Sequence, residues 1–311
     1  MGLRIIFMGT PEFSVLILES LIKKYDVVAI VTKSDKEIGR KKEISFSPIK
    51  KVAIKNNIPV LQPEKIGEIV NEIKDYHPDM IITCAYGQFV PASILDIPKY
   101  GSVNVHASLL PKLRGGAPIH KAIINGYSKT GITIMRMIKK MDAGDIISFR
   151  ETKISEFDDA GLLHDRLQII GRDLLLETIP NIVSGKYITI SQNEEEATFA
   201  YNITRSEEYL DFSKSKKEVM NQIRGLYPWP TAYTNLFGKE TKVLKAKIAQ
   251  EKISSGVLGE IIAVYPDSIG VRVKDGMVLL EEIKIDGKKR MLVKDYLNGI
   301  KKEELMGVVL E

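Results

Sequence analysis

Asn104 and His106 are separated by one residue in Gly-Ser-Val-Asn-Val-His-Ala (101–107), and the run SLLPKLRGGAPI (108–119) follows at once. On a strand, residues i and i+2 point to the same face. This strand end therefore presents an amide donor and an imidazole side by side, with a Gly/Pro-rich loop beside them. Such a pair suits a carbonyl whose oxygen gains negative charge: donors for the oxyanion, and a ring that takes or gives a proton. Asn-x-His alone describes an ordinary buried strand end, and the adjoining loop is what makes it a candidate site. Asp142, in Met141-Asp142-Ala143-Gly144-Asp145, follows another apolar strand. From such a loop it can reach a histidine on a neighbouring strand, orient it, or accept a proton. A surface turn has the same composition, and Asp145 has no comparable reason to take part.

These residues need a scaffold. The first half of the chain alternates strand and helix signals. Apolar runs at Leu3–Met8, Val27–Thr32 and Asp79–Ala85 read as buried strands, with Val60-Leu61, Ser102–His106 and Ile132–Met137 added to them. Helices are expected from Thr10-Pro11-Glu12 to about Lys24, over Ser47–Asn56, Ile66–Tyr76 and Pro118–Asn125, and over Ala160–Val183. Strands apolar on both faces and alternating with helices imply a mostly parallel sheet covered on both sides. Ligands bind beyond the carboxyl ends of strands in such sheets, where Asn104 and His106 fall. After Gly185 the character changes. Residues 1–190 read as a Rossmann-like domain, 191–206 as a polar, acidic linker, and 207–311 as a small OB-like antiparallel β-barrel.

Composition narrows the function. The chain has 311 residues, 44% hydrophobic and 27% charged, with a formal net charge of +5 that permits an acidic partner without requiring one. Cys84 is the only cysteine, so no internal disulfide forms; in an apolar run it reads as a packed core thiol. No segment is long and apolar enough to span a bilayer, and with a strand beginning at Leu3 no leader is expected, which points to the cytoplasm. His77, His106, His120 and His164 are scattered, so no metal site is expected. The loop Gly9-Thr10-Pro11-Glu12 lacks the Gly-x-Gly-x-x-Gly fingerprint, which counts against a dinucleotide oxidoreductase.

The segments FMGTPEF (7–13), AYGQFVP (85–91), NVHASLLPKLRGGAPI (104–119) and MDAGD (141–145) together resemble the 10-formyltetrahydrofolate-dependent formyltransferases, most of all the branch acting on methionyl-tRNA. The resemblance runs nearly end to end, because Tyr227-Pro228-Trp229-Pro230 and the tail match that branch's second domain. It implies formyl transfer from 10-formyltetrahydrofolate, as co-substrate, to the α-amine of initiator methionyl-tRNA, by a monomer and without a metal. Asn104 and His106 would stabilise the oxyanion; Asp142 would orient His106 and assist proton removal. Ser108, Leu109, Leu110 and Pro111 would contact the folate, with Ala85, Tyr86, Gly87 and Gln88 flanking the pterin together with the loop 138–142. Arg40 matches an RNA-contacting arginine, with Lys41 and Lys42 beside it in a basic loop (33–51), and Lys239, Lys242, Lys245, Lys247, Lys288, Lys289 and Arg290 would supply a barrel stripe. The alternative is the same chemistry on a nucleotide-sugar amine. Thr204-Arg205-Ser206-Glu207-Glu208 stands where the family has Lys-Glu-Glu, and Phe212 where a tryptophan is common; these departures bear on the linker, not the chemistry.

Overall fold

A computed structural model of the chain describes residues 2–38, 43–251, 253 and 255–311. Arg40, Lys41 and Lys42, the expected RNA contacts of the basic loop, lie outside the described residues. Two compact units form. One comprises residues 1–118, 129–153 and 164–201, and the other residues 119–128, 154–163 and 202–311.

The first unit is built on a mostly parallel, Rossmann-like sheet of seven strands. In chain order these are β1 (Arg4–Gly9), β2 (Asp26–Val31), then, outside this sheet, the pair β3 (Lys36–Ile38) and β4 (Glu43–Ser45), followed by β5 (Val60–Leu61), β6 (Met80–Cys84), β7 (Ser102–His106), β8 (Lys129–Arg136) and β9 (Ile146–Lys153). The sheet order is β5-β2-β1-β6-β7-β8-β9, with the first five parallel, β8 antiparallel to β7, and β9 antiparallel to β8. Residues of β1, β2 and β6 are almost wholly buried, as apolar strands covered on both faces must be. Ile6, Met8, Ala29, Val31 and Ile81 pack on one face with Ile66, Ile69, Ile73 and Ile94. On the other, the helix Ala160–Ser184 presses close at Gly171, where a Cβ would stand 3.3 Å from Val105, 3.5 Å from Ile17 and 3.6 Å from Ile132. Val105 thus faces the helix, and alternation turns Asn104 and His106 to the opposite face.

Four differences from the sequence expectation have physical reasons. The strand β8 does not continue the parallel set: the segment 119–128, which would have been its crossover, belongs to the second unit, and the chain returns antiparallel. Strand β9 escapes a reading by hydrophobic runs because IISFRETK is an edge strand, half exposed along most of its length. Thr10 does not cap a helix. Its hydroxyl donates to the Tyr86 carbonyl at 3.2 Å, a single 3-10 turn covers Glu12–Ser14, and the α-helix runs over Val15–Ile22. Within the basic loop, β3 and β4 pair antiparallel, Lys36 with Ser45 and Glu37 with Ile44. Below them Ser47 caps the helix Pro48–Lys55 by accepting from the Lys50 N–H at 3.1 Å.

The second unit is an antiparallel, strongly curled half-barrel of OB-like form. Its strands are β10 (Tyr233–Leu236), β11 (Lys239–Ile248), β12 (Ile261–Val264), β13 (Ile269–Val273), β14 (Gly276–Ile285) and β15 (Met291–Leu292). The path is β10-β11-β14-β13-β12, with β15 on β14. Register shifts at Val243–Ala246 and Ile261–Ala263 bend the strands, as bulges do. Val219, Ile223 and Leu226 of the helix Lys216–Leu226 pack with Val243, Val271 and Leu280 to form its core. Among the described residues no helix is long and apolar enough to cross a membrane.

Candidate active site

Asn104, His106 and Asp142 come together in the first unit. Asn104 is oriented by its neighbour on β6: the Thr83 hydroxyl donates to Asn104 Oδ1 at 2.8 Å. With its oxygen engaged, the amide turns Nδ2 outward, and Nδ2 lies 3.4 Å from Asp142 Oδ1. His106 is 5% exposed, and its Nε2 lies 2.9 Å from the Leu113 carbonyl. A carbonyl only accepts, so Nε2 carries the proton and Nδ1 is the ring's working nitrogen. Asp142 Oδ2 stands 3.7 Å from that Nδ1 and accepts the Gly115 N–H at 2.8 Å.

The loop carrying Asp142 starts from what is, for β7, the wrong end. Because β8 is antiparallel, the β8–β9 hairpin loop leaves beside Ser102: the Met137 N–H donates to the Ser102 carbonyl at 2.9 Å. To reach His106 the loop folds back over Asn104. Two backbone features permit this. Asp142 adopts φ +49°, and Gly144 packs so tightly that a Cβ would meet the Arg136 carbonyl oxygen at 1.9 Å.

The loop after β7 is held on its other side by the segment 192–200. Leu113 N–H donates to Thr198 Oγ1 at 2.9 Å, Arg114 N–H to the Thr198 carbonyl at 2.9 Å, and Ala200 N–H to the Arg114 carbonyl at 2.7 Å. Arg114 is fully buried and its guanidinium reaches Gln192 Oε1 and both carboxylate oxygens of Glu194. Arg114 and Lys140 together hold the Glu194 carboxyl down to about 2. The stretch read as a linker thus carries defined contacts to the site loop. Thr83, Arg114, Gln192, Glu194 and Thr198 had drawn no role from sequence reasoning. Arg114 alone sat inside a motif that could have flagged it.

The other expected contacts are distributed around this centre. The Ser108 hydroxyl donates to the Lys112 carbonyl at 2.6 Å, and Thr133 Oγ1 ties the loop by donating to the Ser108 carbonyl and accepting the Leu110 N–H. Leu110 packs with Met135 and Ile146; Leu109 and Pro111 are half-buried. After β6, Ala85 and Gly87 take φ +49° and +80°. The Tyr86 ring is buried in the core with Ile6 and Met8, and burial pushes its phenol up to about 12. The Gln88 side chain is occupied by the Ile66 N–H at 3.0 Å and the Glu64 carbonyl at 3.3 Å. What residues 85–88 leave to a ligand is therefore mainly backbone. Cys84 is fully buried, and burial pushes its thiol up to about 12, as befits a core residue. Among the described residues no group of acids, histidines and cysteines is placed to hold a metal.

In the second unit Lys245, Lys247 and Arg290 of the expected stripe are paired with acids. Lys247 Nζ lies 2.8 Å from Glu281, Lys245 Nζ 3.7 Å from the same carboxylate, and Arg290 pairs with Glu282. Lys242 Nζ donates to the Pro230 carbonyl at 3.2 Å, and Lys288 Nζ lies 5.8 Å from the centre of the Tyr296 ring.

Comparison with known proteins agrees with this architecture. The family model described as formyl transferase matches residues 3–179, and the one described as formyl transferase, C-terminal domain, matches 202–301. A methionyl-tRNA formyltransferase of Streptococcus agalactiae is 46% identical over 301 residues, covering 96% of this chain and 96% of that protein. One from Staphylococcus aureus is 47% identical over 300 residues, covering 95% and 96%. Among solved structures, an N-formyltransferase from Helicobacter canadensis, in complex with folinic acid and dTDP-3-aminofucose, superposes with a TM-score of 0.67 at 20% identity, covering 90% of this chain and 99% of that one. HypX from Aquifex aeolicus, in complex with tetrahydrofolic acid, gives 0.66 at 17%, covering 97% and 48%. At such identities the two structures share the fold.

Proposed function

The chain belongs to the formyl transferase family, a family of enzymes, and we propose that it moves a formyl group from 10-formyltetrahydrofolate to the α-amine of initiator methionyl-tRNA. The acceptor is supported by identities of 46–47% over nearly the whole length of relatives named for that reaction. The observation that carries the chemistry is the convergence of Asn104 Nδ2, His106 Nδ1 and the Asp142 carboxylate, each held by a separate partner.

The donor supplies the electrophilic formyl carbon on its N10; the protein's residues manage the charge around it. Asn104 Nδ2 donates to the formyl oxygen as the α-amine adds to the carbon and negative charge gathers there. One such donor lowers the barrier by about 3–4 kcal/mol. His106 has its Nε2 proton committed to Leu113, so its Nδ1 has two roles. Bare, it accepts the proton the amine sheds; protonated, it donates to the oxyanion and then passes the proton to N10 as the carbon–nitrogen bond to N10 breaks. Asp142 stabilises the ring while Nδ1 carries that proton. The balance is complete: one N–C bond forms, one breaks, and the amine proton ends on N10. Ser108, Leu109, Leu110 and Pro111 and the backbone of Ala85–Gln88 would hold the folate. The donor set fits, because a formyl group asks for hydrogen-bond donors and a proton shuttle. Arg40, Lys41, Lys42 and the barrel lysines are our candidates for the RNA.

The test is acceptor identity. The protein is incubated with 10-formyltetrahydrofolate and, separately, charged initiator tRNA, charged elongator tRNA and a dTDP-amino sugar. Mass spectrometry then reads the acceptor. Formyl on initiator methionyl-tRNA is expected; formyl on the sugar alone would replace this reading with the nucleotide-sugar one.

A further inference from the structure

Gln192 lies half-buried in the polar stretch that follows the sheet of the first unit. Its amide makes four hydrogen bonds. Oε1 accepts from Arg114 Nε at 3.0 Å and Nη2 at 2.8 Å, while Nε2 donates to the carbonyls of Asp142 at 2.9 Å and Gly144 at 2.7 Å. That fills both lone pairs and both N–H groups of the side chain. The reversed amide would set N–H against guanidinium N–H and its oxygen against two carbonyls, so the network fixes the orientation. Behind it, the buried Arg114 directs its other donors to Glu194, which also accepts Lys140 Nζ at 2.6 Å.

Asp142 needs this hold. A non-glycine residue at φ +49° carries a backbone cost and persists only where its surroundings impose it. The Gly115 N–H holds the carboxylate end; Gln192 holds the backbone end. The loops 107–117 and 137–145 thus meet through one amide as well as through the catalytic side chains.

We propose that Gln192 is a positioning residue for Asp142: it fixes the backbone of the 142–144 turn so that the carboxylate stands against His106 Nδ1, Asn104 Nδ2 and the Gly115 N–H. This rests on the role given to Asp142 above, and the test separates the two. Gln192→Glu keeps the acceptors for Arg114 but turns an oxygen toward the two carbonyls. Gln192→Met removes both sets of bonds. A residue that only buttressed Arg114 would tolerate the first change and not the second.

The experiment uses the full chain with carbonyl-13C arginine and 15N glycine, which leaves only the Arg114–Gly115 and Arg224–Gly225 pairs visible. The Gly115 amide reports its bond to Asp142, and Asp142→Asn gives its position when that charge is lost. Both Gln192 variants are expected to move the Gly115 resonance toward the Asp142→Asn position. Both should lower kcat about 10- to 100-fold, as small misplacements of catalytic groups do, with KM for donor and acceptor within about twofold. A Gln192→Glu protein with wild-type kcat and an unmoved Gly115 resonance overturns the proposal, as does a loss confined to KM. If Gln192→Glu fails to fold, Gln192→Met overturns the proposal when its Gly115 resonance is unmoved and its kcat is wild-type; if Gln192→Met fails, Gln192→Glu decides. If the wild type formylates some other amine, the functional reading falls while the Gly115 resonance still reports whether Gln192 holds Asp142.

Discussion

In the first unit Asn104, His106 and Asp142 are each fastened by a neighbour: the Thr83 hydroxyl, the Leu113 carbonyl and the Gly115 N–H, at 2.8, 2.9 and 2.8 Å. In the second, Lys247 meets Glu281 at 2.8 Å with 47% of its side chain exposed, and Lys245 meets the same acid at 3.7 Å with 68% exposed. The first arrangement takes polar groups out of water and leaves them one geometry, so on the function proposed above each side chain would carry a large, non-redundant share of the barrier. The second keeps charges hydrated and exchangeable, and exposed pairs of this kind contribute only about 0.2–1 kcal/mol. On the proposed function, the first region would serve chemistry at a point and the second attraction spread over a surface.

Four substitutions sharpen that contrast. Among these four the largest effect is expected for Asn104→Ala, which removes the one donor available in every protonation state of the ring; kcat should fall about 10²- to 10³-fold while folate binding, read by calorimetry, holds steady. A comparable loss in both would make Asn104 a binding residue. Next comes Arg114→Met, which orphans Gln192 Oε1 and should cost about 1–3 kcal/mol in urea unfolding. The associated acid dependence has a definite sign. The folded Glu194 carboxyl sits at about 2, below its ordinary 4.5, so its stabilisation is complete above pH 4.5 and fades as pH falls toward 2. Glu194→Gln should flatten stability across that window, and an unchanged acid limb would detach Glu194 from Arg114. The smallest effect is assigned to Lys247→Ala: tRNA affinity weaker by a few-fold, with the slope of log K against log salt shallower by about 1 if Lys247 meets a phosphate. A hundredfold loss there would erase the distinction between the two regions.

How much of this was legible in the sequence depends on the range of the interactions involved. Ser102–His106 matches its expected strand residue for residue, because a short run alternating valines with polar residues between Gly101 and a Gly/Pro-rich loop admits few other readings. The same local logic located the helix at Ala160. Strand β9 was hidden because Ser148, Arg150 and Glu151 interrupt its apolar pattern on an exposed edge. The path of Asp142 depends on β8 being antiparallel to β7, a feature with no local signal in the sequence. Gln192 and Glu194 looked like linker for the reason that makes them useful: polar side chains that bond a buried arginine and two carbonyls have the composition of a solvated loop. At Thr10 a good capping residue was diverted to the Tyr86 carbonyl, tertiary contact overriding local propensity.

The most direct test of the account is single-turnover formyl transfer by His106→Ala, measured beside its affinity for 10-formyltetrahydrofolate. With Nε2 tied to Leu113 and Nδ1 left to handle the proton, the transfer rate should drop by about 10²- to 10⁴-fold and folate affinity should stay within about twofold. A variant that transfers formyl at the wild-type rate, or that loses binding and transfer in equal measure, would contradict it.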